Sequence, residues 1–160
     1  MITYITLLRG INVGGNNIIK MTDLKSCFED LGFNNVTTYI QSGNVIFQSI
    51  ESNINKLNNK IESSLDQTFN SPITVVTITQ EHLDEIIDHA PTDFGKNPDK
   101  YRYDVIFLKS PLTVQDTLPL ISTNPEVDNI TAGPDVLYFS RLESLRTKSK
   151  LPRLINMPLY

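Results

Sequence analysis

Residues 9–17, Arg-Gly-Ile-Asn-Val-Gly-Gly-Asn-Asn, hold three glycines and three asparagines directly behind an alternating run at residues 2–8. Such a stretch continues neither a strand nor a helix. Glycine enters regular structure only at high entropic cost, and asparagine side chains compete for their own backbone. The first element must therefore end near Leu8, and the next must be reached through a tight loop. Within residues 2–8, Ile2, Tyr4, Thr6 and Leu8 face one way, while Ile5 and Leu7 are apolar on the other face. That pattern belongs to an internal strand covered on both sides.

Beyond the loop, Met21, Leu24, Phe28 and Leu31, with Cys27, recur at helical spacing, and Gly32 stands where a C′ glycine ends a helix. Residues 36–40 and 45–47 read as strands joined at Gln41-Ser42-Gly43-Asn44. Ile54, Leu57, Ile61, Leu65 and Phe69 mark a second helix, with Ser52 the expected cap, and residues 73–78 form another strand. The order β-α-β-β-α-β is that of the split ferredoxin-like unit.

The second half opens with an acidic helix at residues 80–89, capped by Thr79, followed by a Pro/Asp/Gly/Asn loop over residues 91–100. A strand at residues 103–108 leads to a helix over residues 112–121, which Pro119 disturbs near its end. A hairpin of residues 126–131 and 136–139 and a last helix at residues 150–155, with Pro152 in its first turn, complete the chain. The expectation is an α+β protein of two ferredoxin-like subdomains, each a two-layer antiparallel sheet plus helices. They span residues 1–79 and 80–160, the second lacking its last strand.

In the four-stranded unit the first and third strands are antiparallel neighbours, and the third pairs with the second through the hairpin. The loop after the first strand and the turn at residues 41–44 then leave the sheet at the same end. Gly10 and Gly43 are expected within about 20 Å of each other, a few strand spacings.

Gly10, Gly14 and Gly15 allow positive φ and close backbone approach, while Asn12, Asn16 and Asn17 supply amides. The loop feeds a helix, whose free N–H groups and dipole favour an anion, and Arg9 and Lys20 flank it with positive charge. Gly10 and Gly15 have the spacing of a P-loop, but Asn16-Asn17 stand where Lys-Ser/Thr are required, so the nucleoside-triphosphatase reading fails. Two readings stay open at this point: an anion site, and a tight β-to-α connection in which the asparagines bond their own backbone.

Leu7-Leu8-Arg9-Gly10-Ile11-Asn12-Val13-Gly14-Gly15, Lys20-Met21, Leu31-Gly32-Phe33 and Tyr39-Ile40-Gln41-Ser42-Gly43-Asn44-Val45-Ile46-Phe47 closely resemble the bacterial family of domain of unknown function 1697. The second half resembles it weakly, mainly through Lys148-Ser149-Lys150-Leu151. The resemblance implies a ferredoxin-like fold (an alpha-beta plait) and makes the two loops its hallmark segments; it carries over no catalytic role. The family pattern continues with a short strand bearing an Arg-Asn-Trp-Asn-like motif. The sequence to Tyr160 holds no such motif and no tryptophan. Without that closing strand, residues 103–108 are expected at an exposed edge, which offers a contact for a homodimer.

Composition narrows the classes further. No apolar run among the 160 residues approaches the ~18 needed to cross a bilayer, and residues 1–9 lack the features of a signal peptide. One cysteine forms no internal disulfide, and with two histidines it makes a poor zinc set. A cytoplasmic protein without metal or cofactor is expected. The net charge of −4 argues against nucleic acid as a nonspecific partner.

Charge is uneven, however. Arg141, Arg146, Lys148, Lys150 and Arg153 crowd one end, and residues 81–93 carry five carboxylates with no Lys or Arg. Residues 146–150 offer a phosphate contact or a solvated approach to a helix. Tyr4 and Phe47 stand on strands that carry stacking aromatics in RNA-recognition domains, although the accompanying basic-Gly-aromatic motif is missing. Cys27 shares the apolar face of its helix and reads as an inert thiol.

The leading reading is a binding module for a small anionic or phosphate-bearing ligand. Its expected contacts are Arg9, Gly10, Asn12, Gly14, Gly15, Asn16, Lys20, Gln41, Ser42, Gly43 and Asn44. The alternatives are an enzyme of unassigned reaction in the same pocket, nucleic-acid binding, and a purely structural role for both loops.

Overall fold

A computed structural model describes residues 1–15 and 17–157. The alternating run forms β1 (Ile2–Leu8), inside a four-stranded antiparallel sheet. Its partners are β3 (Asn44–Ser49) on one side and β4 (Val75–Thr79) on the other, with β2 (Asn34–Tyr39) beyond β3. Tyr4 stands opposite Phe47, and Leu7 opposite Asn44. The order β2-β3-β1-β4 is the one that brings the exit of β1 beside the β2–β3 turn.

Helices α1 (Met21–Asp30) and α2 (Ile54–Phe69) cover one face of this sheet. Strand residues Tyr4, Leu8, Val45, Phe47 and Val75 meet Leu24, Cys27, Phe28, Leu57, Ile61 and Leu65 in one core. The rings of Tyr4, Phe28 and Phe33 lie 5.6, 5.5 and 4.3 Å from that of Phe47, and burying aromatics of this size is a large hydrophobic gain. Thr6 and Thr77, the polar pair on the covered face, bond each other at 2.7 Å. Gly32 adopts φ +84 and its N–H reaches Glu29 O, ending α1 as its position predicts.

Two local expectations need correction. The cap of α2 is Asn53, whose Oδ1 accepts the Lys56 N–H at 3.1 Å; Ser52 lies one residue too early for that bond. The strand expected at residues 73–78 begins at Val75.

The chain divides into two compact units, Met1–Leu83 and Asp84–Tyr160. Helix α3 (Gln80–Asp88) begins beside Thr79, whose Oγ1 accepts the His82 N–H as a cap should. In the second unit β5 (Tyr101–Phe107), β6 (Asp128–Ala132) and β7 (Val136–Leu142) make an antiparallel sheet ordered β5-β7-β6. Among the described residues β5 is therefore an edge strand. The helix expected over residues 112–121 is only α4 (Val114–Thr117), followed by a 3₁₀ turn at Leu118–Leu120. Pro119 lacks the N–H that an α-helix would use there. Helix α5 (Leu151–Ile155) carries Pro152 in its first turn. Ile106, Leu137 and Phe139 pack with Val114, Leu151 and Leu154 as the core of this unit.

Candidate functional site

Where β1 ends, the Leu8 N–H donates to Gly43 O and the Arg9 N–H to Thr74 O, each at 3.0 Å. The chain then turns through positive φ at Gly10, Asn12, Gly14, Gly15 and Asn17. Asparagine tolerates this conformation because its short amide bonds locally. Asn12 Oδ1 accepts the Ile19 N–H at 2.8 Å, while its Nδ2 donates to Ile19 O at 3.1 Å and to Gln41 O at 2.8 Å. One side chain thus closes the glycine loop and ties it to the β2–β3 turn. Asn17 makes a second clasp: Nδ2 donates to Gly10 O at 3.2 Å, and Oδ1 accepts from Ser71 Oγ at 2.9 Å. The two loops meet as the strand order requires.

Gly43 lies beneath this junction with φ +86. A Cβ there would clash with Ile11 Cδ1 and stand 2.9 Å from Ile11 Cγ1. Ile11 itself is 1% exposed and plugs the space under the loop. Gly43 is thus required by packing. Gly10, Gly14 and Gly15 differ, because among the described residues no atom beyond their chain neighbours lies within 4 Å of where their Cβ would be.

The expected site residues divide accordingly. Asn12 and Gly43 are committed to holding the junction, and Asn44 is half-buried with Nδ2 on Ser42 Oγ at 3.2 Å. Arg9, Gly10, Gly14, Gly15, Lys20, Gln41 and Ser42 are exposed. Asn16 lies outside the described residues. Lys20 occupies the N-cap of α1 and makes no side-chain cap bond, while Asp23 adds one negative charge in the first turn.

Two other expectations resolve. Tyr4 and Phe47 are fully buried on the helix-covered face, and Tyr4 OH donates to Glu51 O, so neither ring is available to stack on a base. Burial, followed by the charge of Glu51, pushes the Tyr4 phenol above its ordinary pKa. The basic segment at residues 146–150 is fastened by buried Asp128, which sequence reasoning did not single out. Its carboxylate accepts from Ser149 Oγ at 2.6 Å and from the Asn124 and Lys150 N–H groups at 2.9 Å each. Arg146 and Arg102 both pair with Glu143, at 3.3 and 2.8 Å. A further feature that the sequence reading missed is an aromatic cleft in the second unit, whose one sequence signal is the alternation Tyr101-x-Tyr103.

Residues 1–138 match the family described as protein of unknown function (DUF1697), a span that includes both loops and stops short of Lys148. Among solved structures, the conserved bacterial protein SP0830 from Streptococcus pneumoniae aligns with a TM-score of 0.84 at 26% identity. The alignment covers 99% of this chain and 88% of that one. No curated protein matches the sequence. The family match, spanning most of the chain, makes this protein a member of the DUF1697 family.

Proposed function

We propose that the joined loops of the first unit bind a small anionic or phosphate-bearing ligand on a ferredoxin-like scaffold. The observation behind this reading is the open backbone at Gly10, Gly14 and Gly15, set between Arg9 and Lys20 at the uncapped start of α1. The first N–H groups of a helix lack the usual i−4 acceptor, although here the Asp23 N–H already reaches Lys20 O, and the helix dipole adds to the attraction for an anion. In this account Asn12, Asn17 and Gly43 shape the loop, and Arg9, Gly14, Gly15, Lys20, Gln41 and Ser42 meet the ligand. Binding is favoured over catalysis because residues 9–20 and 40–44 contain no Asp, Glu, His, Cys or Tyr. Asn and Gln amides transfer no proton near neutral pH.

The test is a thermal-shift titration of the whole chain with inorganic phosphate, sulfate and mononucleotides, repeated on Arg9→Ala and Lys20→Gln. A ligand that binds only the folded state raises the midpoint with its concentration. The expected result is a rise for the natural chain that both substitutions diminish, with ligand-free midpoints little changed. A natural chain that none of these anions stabilises, or variants that respond fully, would remove the proposal.

A further inference from the structure

The second unit holds a cleft of about 910 Å³ between the loop at residues 91–97 and the sheet face turned away from Ile106, Leu137 and Phe139. Strand pleating puts Tyr101 and Tyr103 of β5 on this face, with Tyr138 and Ser140 of β7 and Asn129 and Thr131 of β6. Tyr103 stands opposite Ser140, and Ser140 opposite Asn129, so one row across the floor runs from aromatic to hydroxyl to amide.

The aromatic wall is fixed before any ligand arrives. Phe94 meets Tyr103 and Tyr138 edge-on, with ring centroids 5.0 and 5.4 Å apart. The Asn97 N–H donates to Tyr103 OH at 3.1 Å, and Tyr138 OH donates to Ile86 O. Tyr101 leans against Tyr103 at 6.2 Å, with Lys100 Nζ 5.5 Å from its ring centre. Tyr101 and Tyr103 remain half-exposed, unlike Tyr138. The side chains of Asn129, Thr131 and Ser140 bond to no other described residue.

Chemistry selects the occupant. An aliphatic ligand would bury the hydroxyls and amide of the floor without partners, which is costly. A bare anion would find Lys96 on the lining offset by Asp93. A flat heterocycle with donors and acceptors on its edge satisfies both halves: its face stacks on tyrosine and its edge meets Ser140 and Asn129. We infer that this cleft binds the nucleobase of a nucleotide, free or within a single strand, by stacking on Tyr101, beside the tilted ring of Tyr103, and edge bonding to Ser140 and Asn129. This site is separate from the loops of the first unit and does not depend on their reading.

Nucleosides decide the matter, because they carry no phosphate for the loop site. The full chain is titrated with adenosine, guanosine, cytidine and uridine while tyrosine ring signals are followed by NMR. The mononucleotides and single-stranded octanucleotides follow. At least one nucleoside should shift the Tyr101 and Tyr103 signals, and Tyr101→Leu should weaken binding at least about fivefold, the lower end for one stacked base. Ser140→Ala, which removes one edge partner, should weaken it with an unchanged unfolding midpoint and serves if Tyr101→Leu folds poorly. Arg9→Ala should leave the nucleoside response intact. An octanucleotide binding more than tenfold tighter than any mononucleotide would assign the strand as source; equal affinities would assign the free nucleotide. The inference is overturned if nucleosides leave the ring signals unmoved at millimolar concentration. It is also overturned if neutral oligosaccharides move them instead, or if binding survives both substitutions.

Discussion

The two sheets of this protein treat their aromatic residues in opposite ways. In the first unit Tyr4 and Phe47 point toward α1 and α2, helices of 10 and 16 residues, and disappear into a core shared with Phe28 and Phe33. In the second, Tyr101 and Tyr103 point away from α4 and α5, which have only four and five residues. The apolar residues buried on the covered side of that sheet are aliphatic apart from Phe139. A ring on a pleated strand serves as core or as binding surface according to which side the helices cover. Helices on the aromatic side make it a core in the first unit; helices on the opposite side leave the tyrosines of the second to line a cleft.

The sharpest way to break this contrast is to truncate one ring on each side. Phe47→Ala removes the ring that touches three others at full burial, and should cost about 3–5 kcal/mol by denaturant unfolding. Tyr101→Leu, at the half-exposed rim, should cost less than about 1 kcal/mol. Similar losses at the two positions would mean that the cleft is a second core, and the distinction between the sheets would collapse.

That contrast was half legible in the sequence. Alternation in residues 2–8 placed Tyr4 with Leu8, and topology alone brought residues 10 and 43 together. Both inferences use local periodicity and connection rules, which a single sequence retains. Tyr101-x-Tyr103 also says that two tyrosines share a face, but not whether helices cover it. That depends on which side of the sheet α4 and α5 pack against, and strand alternation carries no sign of it. The separate jobs of the loop asparagines were equally hidden. Asn12 and Asn17 are chemically alike and share φ values near +50°, so only their acceptors distinguish a bridge to Gln41 from a clasp on Gly10. The α2 cap shows the same limit at one-residue scale, since Ser52 and Asn53 are both competent caps and geometry chose between them.

The glycines offer a finer test within the first unit. Gly43 and Gly14 both sit at positive φ, so replacing either by Ala incurs the backbone strain of about 1 kcal/mol. Only Gly43 also meets Ile11, which must move from a packed position. Gly43→Ala should therefore destabilise by about 2–3 kcal/mol and Gly14→Ala by about 1 kcal/mol. The excess at Gly43 measures how rigidly Ile11 plugs the junction. Anion binding should be sensitive to Gly14→Ala in spite of its smaller effect on folding, because the new methyl stands in open space beside the loop backbone. Equal stability losses would show that Ile11 yields freely and that Gly43 is retained for its backbone alone.

The smallest expected effect concerns surface charge in the second unit, where short helices leave less packing to rely on. Glu143 accepts from Arg102 Nε at 2.8 Å and lies 3.3 Å from Arg146. The hydrogen bond from Arg102 holds its carboxyl below the ordinary range against the opposing effect of desolvation, and the charges of Arg102, Arg146 and Arg141 lower it further. A carboxylate whose folded pKa is depressed adds stability above its unfolded pKa and loses it as pH falls through the folded value. Glu143→Gln should thus lower the unfolding midpoint slightly at pH 7, and the gap to the natural chain should close in acid. Salt should narrow the gap at pH 7 as well, since the pair is solvent-exposed and screened. Packing of the Glu143 stem, by contrast, depends on neither protons nor salt. Since glutamine keeps that stem, a gap that persisted unchanged through both titrations would trace to the hydrogen-bond geometry of the carboxylate oxygens rather than to their charge, and the electrostatic account of Glu143 would fail.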